Sequence, residues 1–335
     1  MRTIPSPPTL SFGRRLALAA AASAALLSAA AQAQDGRDYP VRPVRVVVGY
    51  SPGGATDVVA RLVATRLSEK LGQPFVVDNR AGAGGNIASE EVARARPDGY
   101  TLLVTTIQNA TNMSIYKGLR YNTERDFVHI AQFMASPSVL VVAPTVKATD
   151  LKSFIALAKE EPGKLSYAST GVGGSPHLAG EMLNSRARLD LLHVPYKGTA
   201  PALVDVMAGT VSSSFMTTLG VLPQMKAGAV RPIAVAYSSR LAELPNVPTM
   251  AEAGLPNFEV VSWNGLSAPA GTPAAVVSKL SAAVREILQT PEMVERVKGL
   301  GGEVVLRSQP EYTQYVKAEI VKWRAVAEAS KIELE

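Results

Sequence analysis

The residues best placed to do chemistry form a loop between a predicted strand and a predicted helix. The loop runs Tyr50-Ser51-Pro52-Gly53-Gly54-Ala55-Thr56-Asp57 and follows the apolar run 44–48. A strand that turns through two glycines into a helix presents free backbone N–H groups at the positive end of the helix dipole. Such a loop can hold a carboxylate or a phosphate. A plain tight turn is the alternative, with Thr56 or Asp57 capping the helix or Asp57 facing an amino or hydroxyl group.

A second loop of this kind lies in the other half of the chain. It runs Ser169-Thr170-Gly171-Val172-Gly173-Gly174-Ser175-Pro176-His177, again after a predicted strand. Hydroxyl groups both donate and accept hydrogen bonds, which suits a carboxylate without a charged partner. A flexible glycine turn is the alternative here. Two anion-binding loops on two halves of one chain predict capture of a small acid between two lobes.

Other chemistries have weaker support in the sequence. The run 82–87, Gly-Ala-Gly-Gly-Asn-Ile, resembles a dinucleotide-binding fingerprint, but Ile87 stands where its last glycine belongs. The chain has three histidines, His129, His177 and His193, and no pair has the short spacing of metal ligands. No Gly-x-Ser-x-Gly elbow is present, so Ser175 with His177 is the candidate pair for a hydrolase or isomerase. We therefore expect neither a cofactor nor a metal.

The elements that position these loops alternate between strand and helix, which is typical of an α/β fold with mainly parallel sheets. Apolar runs predict strands at 44–48, 75–77, 100–105, 138–143, 164–169, 191–195, 212–216, 231–237 and 259–268. Periodic patterns predict helices at 55–71, 87–96, 151–160, 177–186, 274–288, 291–298 and 309–330.

An export signal precedes the fold. Arg14 and Arg15 come before the apolar run Leu16–Ala31, and Ala31-Gln32-Ala33 predicts cleavage after about Ala33. The run has about 16 residues, fewer than the ~20 that span a bilayer. The secretory and twin-arginine routes both stay open. The chain has no cysteine, which excludes disulfides and is compatible with a periplasmic location.

Charge and length limit the remaining function classes. The formal charge is +6, and three arginines of the export segment supply half of it. The other basic residues are scattered, so nucleic-acid binding is not expected. No later apolar run reaches membrane-spanning length, which predicts a soluble mature protein of about 300 residues in two domains.

An ordered set of motifs resembles a known family over essentially the whole mature chain. The motifs are Tyr39-Pro40, Arg42-Pro43-Val44-Arg45, Pro52-Gly53-Gly54-x-x-Asp57, Asn79-Arg80-x-Gly82-Ala83-Gly84-Gly85, Pro97-Asp98-Gly99-Tyr100-Thr101-Leu102-Leu103, Tyr167-Ala168-Ser169, His177-Leu178-Ala179-Gly180-Glu181, Val194-Pro195-Tyr196-Lys197-Gly198, Ala200-Pro201-Ala202, Trp263-Asn264-Gly265 and Pro269-Ala270-Gly271-Thr272-Pro273. In this respect the chain resembles the Bug family, the extracytoplasmic solute receptors of tripartite tricarboxylate transporters.

The resemblance implies an α/β, two-lobed periplasmic binding-protein fold of type II-like form, with two crossover strands and mixed, mainly parallel sheets. Lobe 1 would comprise residues 34–138 and 259–335, and lobe 2 residues 139–258. The crossovers would lie at Ser138–Ala143 and Glu259–Ala268. The expected protein is a monomer that delivers a small carboxylic acid to membrane permease subunits.

The resemblance also implies a set of binding residues. Backbone N–H groups and ordered waters of the two loops would hold one carboxylate. First-lobe contacts would be Tyr50, Ser51, Gly53, Gly54 and Asp57, with Thr105, Thr106 and Asn109 at the distal end. Second-lobe contacts would be Ser169, Thr170, Gly171, Gly173 and Ser175. Tyr196 and Lys197 would frame the cleft, and Trp263 with Asn264 would lie on a crossover.

The chain departs from the family pattern at three places. The family usually has proline at the position of Gly49, a hydroxyl residue at Gly174 and an acidic residue where Ser212–Ser214 follow a turn. We expect the first change to loosen the 50–54 loop and the second to remove a ligand hydrogen bond. Three functions stay open: a transport receptor, a receptor that presents its solute to a sensor protein, and a periplasmic hydrolase or isomerase. The solute is open among dicarboxylates, tricarboxylates, amino acids and aromatic acids.

Overall fold

A computed structural model describes residues 38–329 of the chain. Every element named below belongs to one compact unit that begins at Pro40. The predicted export signal and its cleavage after Ala33 lie outside the described residues. In the described part of the chain, no helix is both long enough and apolar enough to cross a membrane.

Strands and helices alternate along the described residues, as the α/β prediction requires. The strands are β1 (Val44–Val48), β2 (Phe75–Asn79), β3 (Thr101–Thr106), β4 (Phe127–Val142), β5 (Ser166–Ser169), β6 (Leu192–Pro195), β7 (Ser213–Thr217), β8 (Arg231–Ala236), β9 (Val261–Pro269) and β10 (Glu303–Arg307). The helices are α1 (Ala55–Leu71), α2 (Asn86–Ala93), α3 (Ile107–Ile115), α4 (Leu151–Glu160), α5 (Ser175–Ala187), α6 (Thr199–Ala208), α7 (Thr218–Lys226), α8 (Ala274–Leu288), α9 (Pro291–Gly299) and α10 (Gln309–Ala329).

These strands form one mixed sheet with the order β2-β1-β3-β9-β4-β7-β5-β6, and both β8 and β10 pair with β4. The pairings β1–β2, β1–β3, β5–β6 and β5–β7 are parallel. Each antiparallel pairing among the described strands involves β4 or β9. The parallel pairings are therefore those that involve neither β4 nor β9. Val44, Val47 and Val48 of β1 are completely buried, as in a sheet covered on both faces.

Strand β4 is much longer than the predicted segment Ser138–Ala143. Pro137, which precedes the predicted segment, lies inside β4, where it is paired with Val261 of β9. At the next residue, Ser138, β4 begins to pair with β7 and β8. A proline is tolerated where a strand changes partners because its missing N–H interrupts the ladder least there. The predicted lobe limit at residue 138 coincides with this change of partner, and the two-lobe division stays a prediction.

Several helices were not predicted from the sequence. Helix α3 carries Gln108, Asn109 and Asn112, polar residues that weaken an apolar helical pattern. Helix α6 contains Pro201 in its first turn, where proline is tolerated because the N–H it lacks has no intrahelical acceptor. Helix α7 and strand β10 were also missed, and α2 ends at Ala93 instead of Arg96.

Candidate functional site

Helix N-termini converge on one cavity in the described part of the chain. The cavity has an empty volume of about 640 Å³, part of it open to solvent. Residues of the first turns of α1, α3, α5, α6 and α7 line it: Ala55 and Thr56, Ile107 and Gln108, Ser175 and Pro176, Thr199, and Leu219. Each helix N-terminus carries a partial positive charge and N–H groups without an intrahelical acceptor. The arrangement therefore concentrates hydrogen-bond donors around a single space.

Most of these N-termini have no side-chain cap. The residues preceding α1, α5, α6 and α7 are Gly54, Gly174, Gly198 and Thr217, and none of them accepts a capping hydrogen bond. Elsewhere, α4 and α9 are capped by Asp150 and Thr290. Among the described lining residues none carries a charged side chain. A bound anion would therefore interact with backbone N–H groups and hydroxyls, without a salt bridge.

The 50–54 loop brings two of these N-termini together. Gly54 has φ −79° and ψ 168°, an ordinary extended conformation. A Cβ atom built on it would lie 3.5 Å from the backbone nitrogen of Thr199 and 3.7 Å from that of Ala200. The N-terminus of α1 thus lies against the N-terminus of α6. The Ser51 N–H and hydroxyl both donate to the carbonyl oxygen of Lys197 at a distance of 2.9 Å. These two hydrogen bonds hold the two segments together.

Asp57 stabilises this loop and does not line the cavity. One of its carboxylate oxygens accepts from the Gly53 N–H (2.9 Å) and Arg61 Nε (3.0 Å), and the other accepts from Asn79 Nδ2 (2.9 Å). Burial opposes its charge, but the hydrogen bonds from Arg61, Gly53 and Asn79 outweigh burial, so the pKa of Asp57 is lowered. Both oxygens are used within the loop, which gives Asp57 a structural role in place of the predicted ligand contact.

Among the residues at the end of β3, only Thr106 reaches the main cavity. Its hydroxyl lies 2.8 Å from that of Tyr50, which also donates to Oε1 of Gln108. Burial raises the pKa of Tyr50, so its phenol stays protonated. Thr105 points elsewhere and bonds to the hydroxyl of Tyr312 at 2.7 Å. Asn109 caps the start of α3 by accepting from the Thr106 N–H at 2.8 Å.

The second predicted loop contributes Thr170 and Ser175 to the cavity lining, while Ser169, Gly171 and Gly173 lie outside it. The expected loss of a hydroxyl at Gly174 has a structural counterpart. A Cβ atom on Gly174 would lie only 2.7 Å from Oγ1 of Thr170, so the Thr170 hydroxyl occupies the space that a residue 174 side chain would need.

A stacked pair of histidines, of which His177 is buried and His193 half-buried, supports this loop. The rings of His177 and His193 stack with centroids 4.2 Å apart. His177 Nδ1 accepts from the Gly173 N–H at 3.2 Å, and His193 Nε2 lies 2.6 Å from Oγ of Ser169. Burial lowers the pKa of His177 to about 3, with a contribution from His193, and burial lowers that of His193 to about 4. Both imidazoles are therefore neutral near pH 7.

The histidine contacts do not provide a reachable nucleophile. Two of the described serines bond to a histidine, Ser169 to His193 and Ser267 to His129, and both serines are buried and do not line the cavity. The pair suggested by the sequence, Ser175 with His177, makes no hydrogen bond in the described structure, because His177 Nδ1 is used by Gly173. In the described residues, no group of three or more His, Cys, Asp or Glu side chains could hold a metal ion.

The crossover β9 separates its two candidate residues. Asn264 lines the cavity, and its Nδ2 lies 3.5 Å from Oγ1 of Thr56. Trp263, the preceding residue, is completely buried on the opposite face, where its indole N–H donates to Glu319 of α10 at 3.0 Å. Because the side chains of successive strand residues point to opposite faces of the sheet, only one of these two can face the cavity. Trp263 therefore packs on the face of β9 opposite the cavity and does not line it.

Tyr196 and Lys197 lie beside a different space, described below, and do not line the main cavity. Other lining residues were not predicted from the sequence, because most belong to the missed helices or precede them: Ile107, Gln108, Ser136, Pro176, Thr199, Ala202, Ser214, Met216, Thr217, Leu219 and Ser262. Thr217 is notable because its buried hydroxyl has no hydrogen-bond partner among the described residues.

Comparisons with known proteins agree on one family. Residues 59–332 match the model described as "Tripartite tricarboxylate transporter family receptor". The chain is 36% identical to protein BugT of Bordetella pertussis over 290 residues, which is 86% of this chain and 89% of BugT. The structure of R. palustris Rpa4515 with adipate has a TM-score of 0.86 and 36% identity, covering 88% of this chain and 99% of that one.

MatC of Rhodopseudomonas palustris with bound malate is similar as well, with a TM-score of 0.83 and 35% identity. This likeness covers 86% of the present chain and 99% of MatC. The matches extend over nearly all the described elements and confirm the family inferred from the sequence motifs, together with its two-crossover binding-protein fold. The chain therefore belongs to the family of Bug-type receptors of tripartite tricarboxylate transporters.

Proposed function

We propose that this protein is a periplasmic receptor that binds a small carboxylic acid in the main cavity and delivers it to a tripartite tricarboxylate-type membrane transporter. The observation that carries the proposal is the group of uncapped helix N-termini around a cavity whose described lining has no charged side chain. Such N-termini hold anions through backbone N–H groups and the helix dipole. The adipate and malate bound by two similar structures are acids of this class.

Binding would act by closing two lobes around the acid. The cavity lining combines Gly54 and Thr106, which belong to the predicted lobe 1, with Thr170 and Thr199 of the predicted lobe 2. Contacts made from both sides exist only in the closed state, so a ligand that makes them shifts the population toward it. Delivery to permease subunits rests on the family description.

The test measures whether the carboxylate itself is recognised. The chain from Gln34 onward would be unfolded and refolded to remove any bound solute, then titrated with adipate, malate and their neutral diamides. We expect saturable binding of one or more acids and none of the corresponding diamide. At a hundredfold excess of ligand over Kd, binding adds about 2.7 kcal/mol to stability, which a thermal melt detects. Equal binding of acid and diamide would refute the proposal.

A broader acid panel decides the outcome if adipate and malate do not bind. Tricarboxylates, amino acids and aromatic monocarboxylates offer the same carboxylate to the same N–H groups. Failure of all of them to shift the melting temperature of folded protein would also refute carboxylate binding. Turnover of an acid ester by the refolded protein would favour the hydrolase alternative instead.

A further inference from the structure

A second chamber lies beyond the main cavity. This outer chamber has an empty volume of about 520 Å³ and is lined by Gly82–Gly85, Tyr116, 170–172 and 195–197. Lys197 is the one charged side chain among its described lining residues. The outer chamber contains the glycine run that resembled a nucleotide-binding fingerprint in the sequence. Its chemistry differs from that of the main cavity, because it offers an exposed ammonium group.

A small hollow of about 200 Å³ shares lining residues with both spaces. It shares Gly49, Gly84 and Gly85 with the outer chamber. It shares Tyr50, Thr106 and Gln108 with the main cavity. These last three residues therefore form the wall between the main cavity and the spaces beyond it, and we call them the partition.

The side chains of the partition hold one another in place. The Tyr50 hydroxyl donates to Gln108 Oε1 and lies 2.8 Å from Thr106 Oγ1. Thr106 Oγ1 accepts from the Gln108 backbone N–H at 3.3 Å. All three residues are buried. Side chains fixed by packing and mutual hydrogen bonds make a wall of defined position.

Gln108 also connects the partition to the 169–174 loop. Its Nε2 donates to the carbonyl oxygen of Val172 at 3.1 Å. A Cβ atom on Gly84 would lie 2.8 Å from that same carbonyl oxygen and 2.9 Å from the Tyr116 hydroxyl. With φ +59°, Gly84 is also in the left-handed region that favours glycine. The glycine run is thus explained by close approach of backbone to backbone at the partition.

We propose that the partition limits the length of the bound acid and that Gln108 is its specificity-determining residue. Truncating Gln108 would open the main cavity toward the outer chamber. A longer linear dicarboxylate could then keep one carboxylate at the uncapped helix N-termini and extend the other toward Lys197. The inference rests on the proposed function, because it assumes that the main cavity holds the first carboxylate.

Truncation of the Gln108 side chain leaves its backbone N–H bonded to Thr106, and the Nε2 group that is removed donates to the carbonyl oxygen of Val172. The Tyr50 hydroxyl keeps Thr106 as a partner. Water entering the opened space can bond to the Val172 carbonyl oxygen in place of the lost amide. The variant Gln108→Ala is therefore expected to fold, and its affinity for short acids is measured beside its affinity for long ones.

The experiment compares chain-length profiles. Calorimetry would measure Kd for linear dicarboxylates from succinate to sebacate with the parent protein and with Gln108→Ala. We expect the tightest-binding acid to be longer for Gln108→Ala, with about a fourfold gain in affinity for each extra buried methylene. Gln108→Met is the matched control, since it keeps a side chain of similar length without the amide. It should retain the parent profile.

A second step tests the direction of the opening. Adding Lys197→Ala to Gln108→Ala should weaken long dicarboxylates and leave monocarboxylates of equal length unaffected. Circular dichroism establishes that each variant is folded, and Gln108→Ser replaces Gln108→Ala if the latter is not. An unchanged chain-length profile in a folded variant overturns the inference while leaving the proposed function intact. Failure of the parent to bind any acid overturns the proposed function itself.

Discussion

Placing a carboxylate at Gly54 tests whether the helix N-termini are the anion site. Gly54 is the N-cap of α1 and has φ −79°, which any residue can adopt. Its Cβ position lies 3.5 Å from the Thr199 nitrogen, an ordinary van der Waals distance. The side chain of Gly54→Asp would therefore lie between the N-termini of α1 and α6 without backbone strain. It would lie beside the space that the proposed ligand carboxylate uses.

The two effects of this substitution have opposite signs. As an N-cap, aspartate is better than glycine by a few tenths of a kcal/mol, and its charge at the helix dipole adds about 0.3–1 kcal/mol. The unliganded protein should be as stable as the parent or more stable. Two like charges about 4–5 Å apart at an effective dielectric constant of about 20 repel by roughly 3–4 kcal/mol. The affinity for an acid should fall by a factor of about 100 to 1,000.

Two control variants separate charge from size and capping. Gly54→Ala adds the Cβ atom alone, and Gly54→Asn adds a side chain of the same shape as aspartate that caps without charge. Urea unfolding would give the stability of each unliganded protein, and calorimetry would give its affinity for the acid. We expect Gly54→Ala to bind nearly as well as the parent and Gly54→Asn to bind much better than Gly54→Asp.

Two results would refute this reasoning. Equal losses of affinity in Gly54→Asn and Gly54→Asp would show that charge at this position is not what matters. A loss of affinity in Gly54→Asp together with a marked loss of stability would show that the loop had been distorted. Unchanged affinity in Gly54→Asp would move the anion site away from α1.

Two further predictions concern stability. Burial keeps the folded-state pKa of every histidine below the usual value of about 6.5, so below that pH the unfolded chain binds more protons. The free energy of unfolding should therefore decrease as the pH falls from 6.5 toward 4, and urea titrations at several pH values would measure the slope. A flat profile would contradict it. The histidines and their lowered pKa values are His129 at about 4, His177 at about 3 and His193 at about 4. Separately, Glu319→Ala should cost about 2–5 kcal/mol, because the indole N–H groups of Trp263 and Trp323 both donate to this buried carboxylate. Lys322→Ala is the control in the same urea measurement, because it removes the half-exposed ammonium that pairs with Glu319 and lies over the Trp323 ring but keeps the acceptor of both indoles, and similar losses in both would refute the assignment.

The strongest local signals in the sequence predicted the frame of the site. The apolar run 44–48, two glycines and an amphipathic segment ending at Gly72 correspond to β1, the 50–54 loop and α1. Gly72 has φ +71°, as a glycine that ends a helix should. The predicted strand 164–169 and the glycine loop that follows it correspond to β5 and the start of α5. Each of these features depends on neighbouring residues, which the sequence displays directly.

Features that depend on distant contacts were not predictable in the same way. Alternation along β9 shows that Trp263 and Asn264 face opposite sides, but the cavity side is set by the packing of Trp263 against Tyr312 and Tyr315 of α10. Gly49 was expected to loosen its loop. A Cβ atom there would instead lie 2.9 Å from the Cα of Gly85, so close packing against the second glycine run requires glycine.

The described cavity lining has no charged side chain, and this determines which contacts favour closure and which favour binding of the ligand. The contacts that join the 50–54 loop and α3 to the opposite segments end on main-chain carbonyl oxygens: Ser51 to Lys197, Gln108 to Val172, and Thr111 to Gly173 at 2.6 Å. These bonds are neutral, and each contributes only about 0.5–1.5 kcal/mol. They can align two halves without holding them shut. An anion at the helix N-termini would form charge-assisted hydrogen bonds, which are about twice as strong as neutral ones. Under the proposed function, the ligand, more than the protein's own contacts, would therefore provide the free energy that favours a closed form.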